Sequence, residues 1–168
     1  MASRPTSETS SRSSTSSPGT DGEVRAHSAI HVLKGAVTKI LGPKRFTYAQ
    51  IWGGRSGILK AKSDAPPTAQ EISKIEVAAN NKVSEDSELL DFEMDRQEAE
   101  GHFGTGIYDL GPAPEAGGLL HIVRIEDWDV SCCSMSHVGS TGSIGAMKID
   151  GARFDEAGKE LELKFHLL

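Results

Sequence analysis

Apolar side chains recur at steps of three and four from Val24 to Leu41, through Ala26, Ile30, Leu33, Val37 and Ile40, and the run stops at Gly42-Pro43. That period predicts an amphipathic helix with one apolar stripe. Beyond it the pattern changes. FTYAQIW and GILKAK, between Phe46 and Lys62, are β-rich runs separated by Gly53-Gly54-Arg55-Ser56, the composition of a hairpin with a glycine turn. Asp64-Ala-Pro-Pro-Thr interrupts the chain, and Thr68 with Glu71 three residues on has the spacing of a capping box. A second helix therefore starts there and carries Ile72, Ile75, Val77 and Ala79. Leu89 to Met94 alternates like a strand, Asp95 to Phe103 suits a short helix stopped by Gly104, and GPAPEAGG at 111–118 has a loop composition. Leu119 to Glu126 reads as a strand, with more strands expected around Met147 to Ile149, Ala152 to Phe154 and Leu161 to Leu167. Two main helices against about six or seven strands, grouped rather than alternating, predict an α+β fold with a largely antiparallel sheet.

Composition divides the 168 residues unequally. Residues 1–22 are mostly Ser, Thr, Pro and Gly, which bury too little to offset the entropy of ordering, so a disordered tail is expected there and a single domain over 23–168. The arginines and serines of the tail loosely fit an organelle transit peptide, but Glu8, Asp21 and Glu23 do not, and a cytoplasmic tail is the expectation. No apolar run approaches the length of a membrane span, and two cysteines adjacent in sequence do not suit a disulfide framework. A soluble protein in a reducing compartment fits both observations.

Net charge is −6, but its distribution matters more than its total. Every charged side chain from Val24 to Lys62 is basic: Arg25, Lys34, Lys39, Lys44, Arg45, Arg55, Lys60 and Lys62. From Ser63 to Ser131 there are sixteen carboxylates against Lys74, Lys82, Arg96 and Arg124. On charge alone this is a basic solvated face beside an acidic one.

His27 and His31 lie four residues apart on the first helix and share a face. Helical geometry turns them away from the apolar stripe, so they are expected to flank the core rather than enter it. Cys133 and His137 have the same spacing and would converge if a helical turn followed the cysteines, leaving Cys132 on another face as a packing residue. Three imidazoles and a thiolate suit zinc, in a closed structural site or an open catalytic one. VGSTGSIG, residues 138–145, brings glycines and the hydroxyls of Ser140, Thr141 and Ser143 next to that pair. It is either a backbone cradle for an anion or polarised carbonyl, or a plain turn into the strand at Met147.

HSAIHVLKGAV, IEDWDVSCCSMSH and STGSIGAMKI, in that order, resemble the alanyl-tRNA editing family, which occurs free-standing as AlaX and embedded as the editing domain of alanyl-tRNA synthetases. The resemblance covers nearly everything after the tail. It is strongest to the short class, which begins almost directly at the metal helix and lacks the synthetase core and added tRNA-binding domains. It implies a fold similar to the editing domain shared by alanyl- and threonyl-tRNA synthetases. The implied activity is a trans-editing deacylase that hydrolyses the ester of mischarged tRNA(Ala), above all Ser-tRNA(Ala), with a zinc-activated water.

By residue, the resemblance implies zinc ligands His27, His31, Cys133 and His137, and a substrate pocket formed by Ile30, Thr141, Gly142 and Ser143. It also turns the basic segment into a tRNA-facing surface, with Lys34, Lys44, Arg45 and Arg55 as phosphate contacts. Phe46, Tyr48 and Trp52 are either stacking residues for the terminal adenine or strand packing. Ile30 stands where many relatives have threonine, Ser143 where many have glutamate, and Ser134 and Met135 where two glycines are common. These changes spare the ligands and reshape the pocket. Editing of Ser-tRNA(Thr), or a non-catalytic RNA-binding module with structural zinc, are the alternatives.

Overall fold

A computed structural model of the chain describes residues 21–110, 113 and 118–168. The Ser/Thr-rich segment 1–20 and most of the loop expected at 111–118 lie outside the described residues. Three α-helices occur, α1 (Asp21–Leu41), α2 (Ala69–Glu85) and α3 (Arg96–Phe103). Seven strands accompany them: β1 (Phe46–Trp52), β2 (Ser56–Lys62), β3 (Leu89–Asp95), β4 (Leu119–Ile125), β5 (Asp129–Cys132), β6 (Met147–Asp155) and β7 (Glu160–Leu167). The strands form two antiparallel sheets rather than one, a four-stranded sheet in the order β1-β2-β7-β6 and a three-stranded sheet in the order β3-β4-β5. The α+β class is therefore as expected.

Local chemistry accounts for the elements. Glycines 53 and 54 turn the β1–β2 hairpin at φ 61° and 66°, backbone values that side-chain-bearing residues seldom adopt. At α2 the capping box forms in both directions: the Glu71 N–H donates to Thr68 Oγ1 at 3.1 Å and the Thr68 N–H to Glu71 Oε1 at 3.0 Å. The two short strands expected near Met147 and Ala152 are one strand, β6, with a register shift between Ile149 and Gly151. The sequence reading missed β5, whose four residues are too few to show a period.

Helix α1 departs most from its expected form. It takes in Asp21 and Gly22, and from Ala26 to Val37 every residue but His27 is buried, not a single stripe. Small residues make this possible. Ala29, Ala36 and Gly35 let α2 and the sheets approach on several sides, and a Cβ at Gly35 would collide with the indole of Trp128, whose Nε1–H donates to the Val32 carbonyl at 2.9 Å. The main core joins α1 and α2 to the inner faces of both sheets, with Leu59, Phe165, Leu163 and Ile125 nearly inaccessible to solvent. A smaller core, Ala99, Ile107, Leu120 and Ile122, fills the other face of the three-stranded sheet. Alternation along β4 sends Val123 and Ile125 to one core and Leu120 and Ile122 to the other.

Candidate metal centre

The buried central helix holds His27 and His31 one turn apart, and the segment after β5 brings Cys133 and His137 to them across 106 residues of sequence. The four ligand atoms all lie within 4.8 Å of one another. His27 Nε2 is 3.1 Å from Cys133 Sγ, and His31 Nε2 is 3.0 Å from His137 Nε2. Donors around a tetrahedral zinc stand about 3.3–3.6 Å apart, so the two short pairs must open slightly and wider ones close for the ion to be held. The cluster could hold a metal ion, and its donor set suits zinc.

The route to this convergence differs from the expected one. No helical turn follows the cysteines; residues 133–139 are irregular. Strand alternation separates the pair instead. Cys132 ends β5 and packs with the smaller core, whereas Cys133 packs with the main core and donates its backbone N–H to His121 O at 2.9 Å. Nor does His31 merely flank the core, being 1% exposed.

Carboxylates fix two of the rings. His31 Nδ1–H donates to Asp129 Oδ2 at 3.1 Å, and His137 Nδ1–H donates to Asp91 Oδ2 at 3.3 Å, so both Nε2 lone pairs face the centre. Asp91 also contacts His121. Burial pulls the His31 pKa down, but its contacts with Asp129 and Cys133 together outweigh it and leave His31 more basic than an ordinary histidine. His27 goes the other way, because burial dominates its contact with Cys133. Burial also pushes the Cys133 thiol up, yet its contacts with His137, His27 and His31 bring its pKa down to about 3, so it is a thiolate at neutral pH. Cys132, pushed up by burial, stays a thiol.

Behind His31 lies a buried charge. Lys34, expected at an RNA-facing surface, is 1% exposed and cannot reach a phosphate. Its ammonium pairs with Asp109 at 2.8 Å and Asp129 at 3.4 Å, and donates to Ser131 Oγ. Burial raises the Asp129 carboxyl, but Lys34 and the bonds from His31 and Ser131 hold it below the usual range. Asp129, Ser131 and Cys133 thus share one face of the β5 segment. Their alternate spacing was visible in DVSCC; with β5 unrecognised, it carried no meaning.

A cavity of about 430 Å³ opens beside the ligands, lined by Ile30 with Ala49, Gln50 and Ile51 of β1, and by Asp109, Leu110, Ser131, Ser134 and Met135. Ile30, expected in a substrate pocket, lines this cavity. Thr141, Gly142 and Ser143 do not line this cavity. Thr141 is fully buried, donating to Lys82 O and accepting from the Ser87 N–H, and the Gly142 N–H donates to Asp86 Oδ1. The bonds of Thr141 and Gly142 tie the turn to the end of α2, and those of the buried Thr141 satisfy its hydroxyl. Arg55 is occupied too, donating to Leu167 O at 3.0 Å. Lys44 and Arg45 line a neighbouring cleft of about 740 Å³ that shares Asp109 with the cavity.

No family model matches the chain. It is similar to alanine–tRNA ligase of Hyperthermus butylicus, 39% identical over 132 residues, which covers 75% of this chain. The corresponding enzyme of Ignicoccus hospitalis is 34% identical over 136 residues and that of Saccharolobus islandicus 32% over 126 residues. In each case the chain spans only 14% of the relative's length. The described domain is thus related to one segment of alanine–tRNA ligase.

Proposed function

We propose that this chain is a zinc-dependent aminoacyl-tRNA hydrolase that removes a wrongly attached amino acid, serine above all, from tRNA(Ala). The observation that carries the reading is the convergence of His27, His31, Cys133 and His137, the first three of them at the wall of a cavity, in a domain related to a segment of alanine–tRNA ligase. When bound, zinc would supply a Lewis acid that polarises an ester carbonyl and makes water nucleophilic near neutral pH. The chain's own part is to hold that chemistry in place. Cys133, already a thiolate, and the His31 and His137 rings, steered by Asp129 and Asp91, present donors that need little rearrangement.

Beside the ligands, Ile30, Ala49 and Ile51 form an apolar wall that excludes water, and Gln50, Ser131 and Ser134 provide the polar groups within reach of an aminoacyl moiety. Ile30 has no hydroxyl, so discrimination of serine from alanine falls to those groups. The cavity volume of about 430 Å³ admits an aminoacyl group with its terminal ribose but no folded RNA, which must remain outside. Domain limits of 23–168 and a cytoplasmic location belong to the same reading.

Zinc-loaded protein should deacylate Ser-tRNA(Ala) faster than Gly-tRNA(Ala), leave Ala-tRNA(Ala) largely intact and act poorly on Ser-tRNA(Thr). Comparable rates on Ser-tRNA(Thr) would move the substrate to the threonine system. Binding of tRNA without turnover of any of the four would make the zinc structural.

A further inference from the structure

Helical geometry fixes the spacing of His27 and His31, but residues 133–139 are irregular, so no backbone repeat holds Cys133 and His137 in place. The neighbouring strands supply the hold. His121, on β4, reaches both ligands. Its carbonyl accepts the Cys133 N–H at 2.9 Å, and its ring Nε2–H donates to Asp91 Oδ1 on β3. The other oxygen of that carboxylate, Oδ2, accepts from His137 Nδ1–H at 3.3 Å. In the β3–β4 register Asp91 opposes Val123 and Glu93 opposes His121, which makes Asp91 and His121 diagonal neighbours on one face of the sheet. It is the face that Val123 and Ile125 turn to the main core.

Exposure shows why Asp91 needs a second partner. The His137 side chain is fully buried, whereas that of Asp91 is 33% exposed. A carboxylate within reach of water exchanges a single bond for solvent at little cost, and its side chain has other rotamers to visit. With Oδ1 held by His121, Oδ2 stays on His137. The further ties of the segment act on its backbone: the Val138 N–H donates to Ser28 Oγ at 3.0 Å, and the Leu89 N–H to Gly139 O at 3.0 Å. Neither sets the rotation of the His137 ring.

We infer that His121 is a positioning residue of the metal centre: its carbonyl seats Cys133, and its ring, through Asp91, aims Nε2 of His137 at the ion. β4 thus does for the second ligand pair what the helix does for the first. The inference rests on the zinc reading and is independent of the substrate. Substitution changes the ring and spares the carbonyl, so the arm through Asp91 can be tested by itself.

The test measures zinc affinity of the full chain by competition with a chromogenic chelator, with circular dichroism as the check on folding. Asp91→Ala should weaken binding about 10–100-fold, as for other partners of metal-bound histidines. His121→Ala should weaken it about three- to tenfold, less because both members of the pair are about a third exposed. His121→Leu, which keeps bulk in the strand but has no donor, should lose as much. His121→Gln, whose terminal amide can donate the same bond, should stay within about twofold of the parent. In an Asp91→Ala background, His121→Ala should change affinity by less than about twofold, because a residue that acts through Asp91 then has nothing to act on. Equal losses in the two backgrounds, no rescue by glutamine, or parental affinity in His121→Leu overturns the inference. Zinc binding that follows this pattern in a protein without deacylase activity removes the hydrolase reading and leaves the role of His121 standing. Zinc-dependent deacylation with no coupling between the two residues does the reverse.

Discussion

Asp129 shows how much of this site lies behind the ligands. Its carboxylate accepts from His31, from Ser131 at 3.2 Å, and faces the Lys34 ammonium, so one side chain links a buried cation to a metal-facing ring. Without Lys34, a buried carboxylate would take up a proton and could no longer accept from His31 as an anion. The ammonium therefore keeps Asp129 charged, and Asp129 keeps Nε2 of His31 aimed at the centre. Asp129→Asn should weaken zinc affinity about 10–100-fold, read by competition with a chromogenic chelator, while the circular dichroism spectrum is retained. Unchanged affinity would remove Asp129 from the positioning role. None of this was legible from composition, because a lysine in a helix that seems amphipathic is ordinarily solvated. What made Lys34 buried was the burial of the middle of the helix on all its faces.

Helix α1 is the element on which the site depends. Its period was plain in the sequence, as were the β1–β2 hairpin and the capping box of α2, since each rests on local chemistry. The burial of its other faces was not, because that depends on what α2, β5 and Trp128 bring from far along the chain. The same reason hid the role of Thr141 to Ser143: glycines and hydroxyls suit an anion cradle and a buried anchor equally well, and only the approach of α2 decides between them. Cys132 and Cys133 pack on different cores through strand alternation, not through the helical turn expected after them, and both border the cavity. Gly35 is the sharpest test of the packing around α1. Gly35→Ala places a methyl in the Trp128 indole and should cost about 1–3 kcal/mol by urea unfolding despite alanine's better helix propensity. A stabilised variant would mean that Trp128 moves aside freely.

At the scale of the whole molecule, folding disperses the basic segment that seemed continuous in sequence. Arg25 donates to Ile144 O at 3.0 and 2.9 Å, Lys34 is buried, Arg55 holds Leu167 O, and Lys60 and Lys62 meet Glu160 and Glu162 on the four-stranded sheet. Lys44 and Arg45 remain at a cleft beside the cavity, which leaves a smaller cationic surface than the sequence suggested. No helix among the described residues is long and apolar enough to cross a membrane. Two distant parts of the chain meet at the ligands, so a bound ion would tie α1 to the segment after β5 as well as serve the chemistry. Hydrolysis should therefore follow the metal. The most direct measurement strips the protein with a chelator, returns zinc in steps, and records bound zinc and Ser-tRNA(Ala) deacylation together, with Cys133→Ala in parallel. The prediction is activity that rises with bound zinc to a plateau at about one ion per chain, and a Cys133→Ala protein that retains neither. Full deacylation by the stripped protein, or by Cys133→Ala without zinc, would contradict it.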